Sequence, residues 1–277
     1  MVNITDNARK YLDSLDLDLK KPTYDYLKQI CVAHLNTFPF ENISKLLYFK
    51  KHNYTNFELP SFELFINNHR DFNFGGTCYT LNSNLMILLK GIGFSCYHVM
   101  LGEEHMGIIV EIENERFYVD CGAAAPIFKP VNFENDDKNI SSFGKDVVNI
   151  VPVDSSRNTY NYVRYTNGKQ NGKNWVFNSV KETKIEHFNE VMKRANQPNA
   201  PFMTILRCQL YQTHKHRSVS LVNNKFSIRY SSGEIDLKVL STPEEISSVL
   251  SEEFALPKLP VTEAIEVLEL LNVDIFK

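Results

Sequence analysis

Residues 75–122 read GGTCYTLNSNLMILLKGIGFSCYHVMLGEEHMGIIVEIENERFYVDCG, and a change of period inside this stretch decides the fold. After Cys78 the apolar residues Leu81, Leu85, Leu88, Leu89 and Ile92 recur at helical spacing, and Gly91 and Gly93 supply stop signals. Beyond Gly93 the chain turns to short runs rich in β-branched and aromatic residues, SCYHVMLG, HMGIIVEI and RFYVDCG, separated by polar turns. A helix therefore feeds a series of strands.

On the N-terminal side, Tyr26, Leu27, Ile30, Cys31 and Leu35 mark an amphipathic helix between Pro22 and Leu35 that must stop before Pro39. The chain before Gly93 thus reads as mainly helical. On the C-terminal side, YVRYTN and NWVFNSV continue the strands, KETKIEHFNEVMKRAN reads helical, and FMTILRCQLYQT, RSVSLVNN and KFSIRYSS read as strands. Helices close the chain in TPEEISSVLSEEFA and VTEAIEVLELLN, and FENDDKNISSFGKD reads as an excursion loop. The expected order is helices, a barrel-like sheet, then a mixed third part.

Composition narrows the function. With 277 residues, 43% hydrophobic and 23% charged, the chain can bury a substantial core. A net charge of -3 gives no general attraction to phosphate backbones or anionic lipid, so neither nucleic acid nor a membrane is the expected partner. The N-terminus lacks an apolar stretch of signal-peptide length, so a cytoplasmic location is expected. Five scattered cysteines, odd in number and never in a C-x-x-C pair, argue against disulfides and zinc knuckles. No metal is expected.

Cys78 follows Gly75-Gly76 and opens a helix, a setting in which glycines permit a sharp turn and the helix N-terminus stabilises a thiolate. A thiolate nucleophile needs a base, and the base needs an orienting group. If Glu113-Asn114 form a two-residue hairpin loop, Ile112 pairs with Glu115 and Asp120 with Gly107. His105 and Asp120 then share one face as diagonal neighbours, with Cα atoms roughly 7–8 Å apart. A three-residue loop would break that parity. Among the other histidines, His34 reads as a core residue, His98 has no acid nearby in sequence, and His214 and His216 read as solvated surface. Cys121 should face away from Asp120 and pack.

Three motifs in order, AHLNTFPFENIS, GGTCYTLNSNLMILLKGIGF and HMGIIVEIENERFYVDCG, resemble the arylamine N-acetyltransferase family over most of residues 22–131. The resemblance implies an α+β fold with an N-terminal helical bundle (1–92), a central β-barrel (93–182) and a C-terminal α/β lid (183–277). It implies a cysteine-protease-like arrangement in which Cys78 is the acetyl-accepting nucleophile, His105 its base and Asp120 the orienter. Acetyl-CoA would be the co-substrate, so coenzyme A is an expected partner, and small aromatic amines, hydrazines or N-hydroxyarylamines the acceptors. Phe40 of the PFEN motif and Phe202 of PNAPF are implied pocket aromatics. Two departures stand out. Phe74 replaces the arginine the family usually carries before Gly-Gly, so its bridge to Glu41 cannot form. Gly122-Ala123-Ala124 replaces Gly-Phe-Gly, so Ala123 should alter the pocket floor. The same triad would also serve a thiol hydrolase or amide synthase, or persist in a weakly active protein that binds coenzyme A or aromatic ligands.

Overall fold

The computed structural model describes residues 5–53, 59–134, 139–153, 155 and 158–277. The first part carries α1 (Asp6–Ser14), α2 (Tyr24–Thr37), β1 (Phe40–Glu41), α3 (Ile43–Lys51), α4 (Phe62–Phe72) and α5 (Cys78–Gly91). Thr23 caps α2 by accepting a hydrogen bond from the Tyr26 amide at 3.3 Å, and the helix ends just before Pro39. In α5, Leu81, Leu85, Leu88 and Leu89 are fully buried, packed in one cluster with Leu27, Ile30 and Cys31 of α2. Each buried leucine contributes about 1.5–3 kcal/mol, so packing rather than helix propensity fixes α5 in place.

The strands β2 (Ser95–Leu101), β3 (His105–Ile112) and β4 (Glu115–Val119) form a three-stranded antiparallel sheet. The β3–β4 turn places Ile112 opposite Glu115, with positive φ of 53° at Glu113 and 67° at Asn114. This is the twist-matched two-residue turn, so the register runs on to Ile108 opposite Val119. A second sheet holds β5 (Ile140–Phe143), β6 (Asp146–Pro152), β7 (Thr159–Thr166) and β8 (Lys169–Asn178). The two sheets share a core of Ile109, Tyr118, Ile150, Tyr160, Tyr162 and Phe177.

The expected β-barrel is therefore two packed sheets, with no closed ring of strands among the described residues. After Val119 the chain leaves the ladder through a segment with Pro126 and Pro130, which cannot donate backbone hydrogen bonds, so pairing does not continue around the core. The expected excursion loop at FENDDKNISSFGKD is also corrected. Its second half supplies β5 and the first residue of β6, while residues 135–138 lie outside the described residues.

The third part contains α6 (Asn189–Ala195), β9 (Arg207–Gln212), β10 (Arg217–Val222), β11 (Lys225–Tyr230), β12 (Ile235–Val239), α7 (Pro243–Glu252) and α8 (Val261–Leu270). Its sheet runs β1-β9-β10-β11-β12, so the short strand Phe40–Glu41 of the first part forms one edge, with Phe40 opposite Gln209. That pairing brings the PFEN motif, the Gly-Gly turn and the third part to one place.

Candidate active site

Cys78 stands at the first position of α5, and the geometry of the preceding turn is dictated by close backbone approach. A side chain at Gly75 would put its Cβ 1.9 Å from the Pro39 carbonyl oxygen, and Gly76 sits at φ +138°. The Gly76 amide donates to the Pro39 carbonyl at 3.3 Å, and the Gly76 carbonyl accepts from the Glu41 amide at 3.0 Å. On the opposite side Gly122 presses against the cysteine, where a Cβ would fall 2.7 Å from Cys78 Cα. Cys78 is the one partly exposed thiol; Cys31, Cys96, Cys121 and Cys208 are buried.

His105 and Asp120 meet as the hairpin register requires. His105 Nε2 lies 2.7 Å from Asp120 Oδ2, and both side chains are buried. This leaves Nδ1 as the ring nitrogen free to serve Cys78, whose side chain interacts with the same ring. The Asp120 carboxylate is saturated: Oδ2 also accepts from the Tyr118 hydroxyl at 2.7 Å, while Oδ1 accepts from Asn82 Nδ2 at 2.8 Å and the Gly122 amide at 2.9 Å. Asn82 lies one helical turn after Cys78, donates also to the Met106 carbonyl at 2.6 Å and accepts from the Cys121 amide at 3.1 Å. It therefore ties α5 to β3 and to the segment that follows β4.

Burial by itself lowers His105, but the charge and hydrogen bond of Asp120, helped by Cys78, outweigh it and push the imidazole up to about 10. Burial raises the Asp120 carboxyl, and the charge and hydrogen bond of His105 with those of Asn82 and Tyr118 overcome it, holding the group below the ordinary carboxylate value. The pair is thus built to carry an imidazolium beside a carboxylate.

Several of these residues were not singled out by sequence. Trp175 of β8 stacks on His105 with ring centroids 4.4 Å apart and planes within 2°, and its Nε1 donates to Glu104 Oε1 at 2.9 Å. Glu104 therefore holds Trp175. Gly102 makes room for that indole, since a Cβ there would lie 2.5 Å from Trp175 Cδ1. Nothing in the spacing of the chain links Trp175 to His105; only the packing of β8 against β2 does. Asn82, at i+4 from Cys78 on a helix, was within reach of periodicity.

The PFEN motif frames the pocket. Glu41, fully buried, accepts from the Gly75 amide at 3.1 Å, the Ser44 amide at 2.8 Å and the Ser44 hydroxyl at 2.6 Å. The Glu41-to-turn link thus exists through backbone, without an arginine at 74, and Phe74 instead packs against Phe72 and Tyr48. Asn42 donates to the carbonyls of Phe202 and Ile205 at 2.9 and 2.7 Å and accepts from the Arg207 amide at 2.7 Å, pinning the entry to β9. Phe40 and Phe202 meet edge-on with centroids 5.4 Å apart.

Cys78, His105, Phe40, Ala123 and Phe202 all line one cavity of about 690 Å³, with Trp175 and Tyr162 on its sheet side and Arg194 and Ala195 from α6 above. Asp120 lies behind His105, outside the lining. Lys45 of α3 also reaches this space; burial lowers it to about 8, and Nζ donates to the Ala195 carbonyl at 2.5 Å, joining the first part to the end of α6. The remaining histidines lie elsewhere. His34 is fully buried beside the Tyr11 hydroxyl at 2.9 Å, His98 packs against Phe188, and His214 and His216 are exposed. Among the described residues no group of three or more His, Cys, Asp or Glu is placed to hold a metal ion, and no helix is long and apolar enough to cross a membrane.

The mixed α+β fold thus brings Cys78 and His105 to one cavity, with Asp120 bonded to His105 from behind. A family model described as N-acetyltransferase matches residues 23–261, and the chain belongs to the arylamine N-acetyltransferase family. No curated protein matches it by sequence. The fold is similar to that of the arylamine N-acetyltransferase from Salmonella typhimurium, with a TM-score of 0.80 at 15% identity over 97% of this chain and 100% of that one. The Mycobacterium marinum arylamine N-acetyltransferase in complex with CoA matches with a TM-score of 0.75 at 16% identity, over 95% of this chain and 97% of that one. A Bacillus cereus relative described as having a Cys-His-Glu triad matches with a TM-score of 0.73 at 19% identity, over 91% and 99%. In the present chain the residue bonded to His105 is an aspartate.

Proposed function

We propose that this acetyltransferase moves an acetyl group from acetyl-CoA to an aromatic amine, hydrazine or N-hydroxyarylamine through a thioester on Cys78. The observation that supports the reading is a cavity of about 690 Å³ lined by Cys78 and His105, with Asp120 bonded to His105 from behind. The thiolate attacks the thioester carbonyl of acetyl-CoA, the bond from carbonyl carbon to the sulfur of coenzyme A breaks, and the departing thiolate takes the proton from the His105 imidazolium. The acceptor nitrogen then attacks the acetyl carbonyl, neutral His105 takes its proton, and the Cys78 thiolate leaves. Asp120 stays ionised throughout, holding the ring with Nε2 toward itself and Nδ1 toward sulfur.

The uncapped first turn of α5 supports charge at Cys78, because Thr77 gives no side-chain bond to the leading amides. Phe40, Phe202 and the wall at Ala123 are assigned to the acceptor ring. The scattered free thiols support a cytoplasmic setting. Rapid mixing with acetyl-CoA tests the two-step order. A burst of free coenzyme A equal to the enzyme concentration is expected before any amine is added, and a requirement for amine before coenzyme A appears would refute it.

A further inference from the structure

The sheet of the third part has two edges, and the chain treats them differently. At one edge β1 is covered by the Gly-Gly turn, since Phe40 bridges to Gly76. At the other, β12 has β11 on one side and no strand on the other among the described residues. All five residues of β12 are exposed, Leu237 to 77% and Val239 to 64%, and none is a glycine or proline that would spoil pairing. A bare strand of this kind is a template for a further strand.

The phase of the ladder fixes what the edge offers. The Tyr230 amide donates to the Glu234 carbonyl at 3.0 Å, and the Leu240 amide donates to the Asn224 carbonyl at 2.8 Å. In phase with these bonds, Asp236 opposite Ile228 and Lys238 opposite Phe226 turn their backbone groups toward β11. The N–H and C=O groups of Ile235, Leu237 and Val239 therefore point to the open edge. The side chains of these three share one face of the strand, and those of Asp236 and Lys238 share the other. We infer that the edge is completed by β12 of a second copy of this chain, running antiparallel about a two-fold axis at Leu237. In that register Leu237 lies opposite Leu237, Ile235 opposite Val239 and Asp236 opposite Lys238 of the second copy, and every outward backbone group of both strands is paired. Moving the axis by one residue would set Asp236 against Asp236 or Lys238 against Lys238, so charge selects a single register. The Tyr230 hydroxyl donates to Asp236 Oδ2 at 3.0 Å and holds the carboxylate on the face where the second copy's lysine arrives. Five residues a side fall short of the roughly 800 Å² per partner of a standard stable interface, so the two copies exchange at micromolar concentration.

Sedimentation velocity over a micromolar concentration series reads the association, and a charge exchange identifies the interface. The wild type should pass from the mass of one chain to that of two, with a dissociation constant in the micromolar range. Asp236→Lys alone sets lysine against lysine at both pairs, and Lys238→Asp alone sets aspartate against aspartate. Each should weaken association roughly 10- to 100-fold. Mixed in equal amounts, the two variants meet with opposite charges at both pairs and should associate nearly as well as the wild type. Both positions are exposed and lie at the opposite edge of the sheet from β1, so Tm and turnover per chain should stay at wild-type values. A wild type that remains one chain throughout overturns the inference and leaves the edge to a strand of a different protein or to solvent. A dimer indifferent to the single charge reversals, or one that mixing does not restore, overturns it in favour of another surface.

Discussion

Gly122→Ala tests whether backbone proximity at Cys78 sets the reaction geometry. The new Cβ would lie 2.7 Å from Cys78 Cα, 3.0 Å from Asn82 Nδ2 and 3.1 Å from the Cys78 carbonyl oxygen. Carbon contacts settle at roughly 3.5–4.0 Å, so α5 and the segment after β4 must part by about 1 Å. Neither side gives easily, since the Gly122 amide is held by Asp120 at 2.9 Å and Asn82 is bonded to Met106 of β3 and to Asp120. Overpacking of this kind costs about 1–3 kcal/mol, each kcal/mol lowering Tm by about 2–4 °C in a domain of this size. Displacement of the thiol from His105 by about 1 Å should slow acylation roughly 100-fold. Gly91→Ala is the control, because its Cβ would meet only Ala8 at 3.9 Å in an exposed helical position, and it should be neutral or stabilising by about 0.5–1 kcal/mol. The measurements are Tm and the rate of coenzyme A release in the first turnover. A Gly122→Ala enzyme with wild-type Tm and wild-type release rate would refute the reasoning.

Asp120→Asn should reduce turnover roughly 100-fold or more while the fold persists, since the amide can still bond but cannot stabilise the imidazolium. Its pH signature follows from the two shifts. Stabilisation from the raised His105 is fully present below its ordinary 6.5 and lost as pH rises through about 10, and that from the lowered Asp120 is present above its ordinary 3.8 and lost as pH falls through the folded value. The Tm advantage of wild type over Asp120→Asn should therefore be widest between these limits and shrink at both ends; a constant difference across pH would contradict the ion pair. Iodoacetamide at mildly acidic pH should label Cys78 first, because the other four thiols are buried and burial raises Cys96 to about 12; equal labelling of all five would count against a poised thiol. Ala123→Phe should raise kcat/KM for single-ring amines by roughly 10- to 100-fold through added apolar contact, with the gain confined to the second half-reaction. Equal changes in Cys78 acylation would remove residue 123 from the acceptor pocket.

Local signals carried most of what the sequence could tell about the site. The Gly-Gly turn, the helix behind Cys78 and the Asn-containing two-residue hairpin each follow from backbone preferences within a few residues, and together they place His105 and Asp120 on one face. Sheet closure was not legible, because alternating strands read alike whether they close into a ring or stack as two sheets. The helix expected across KETKIEHFNEVMKRAN is shortened to a 3-10 turn, Ile185–Phe188, followed by α6, and the strand expected from Phe202 begins only at Arg207. Asn42 explains the latter, since its side chain takes the carbonyls of Phe202 and Ile205 out of any ladder. The edge strand β12 escaped notice because all five of its residues are exposed and leave no buried alternation to read. Trp175 depends on contacts between elements far apart in the chain, for which a single sequence offers no signal.

The central claim is that Cys78 carries the acetyl group, and intact-mass measurement after mixing with acetyl-CoA in the absence of amine tests it most directly. The wild type should gain the mass of one acetyl group, located on Cys78 by peptide mapping and removed when an aromatic amine is added. Cys78→Ser should gain none under the same conditions. An unmodified wild type, or an acetyl group on a different residue that turns over to the amine, would contradict the account.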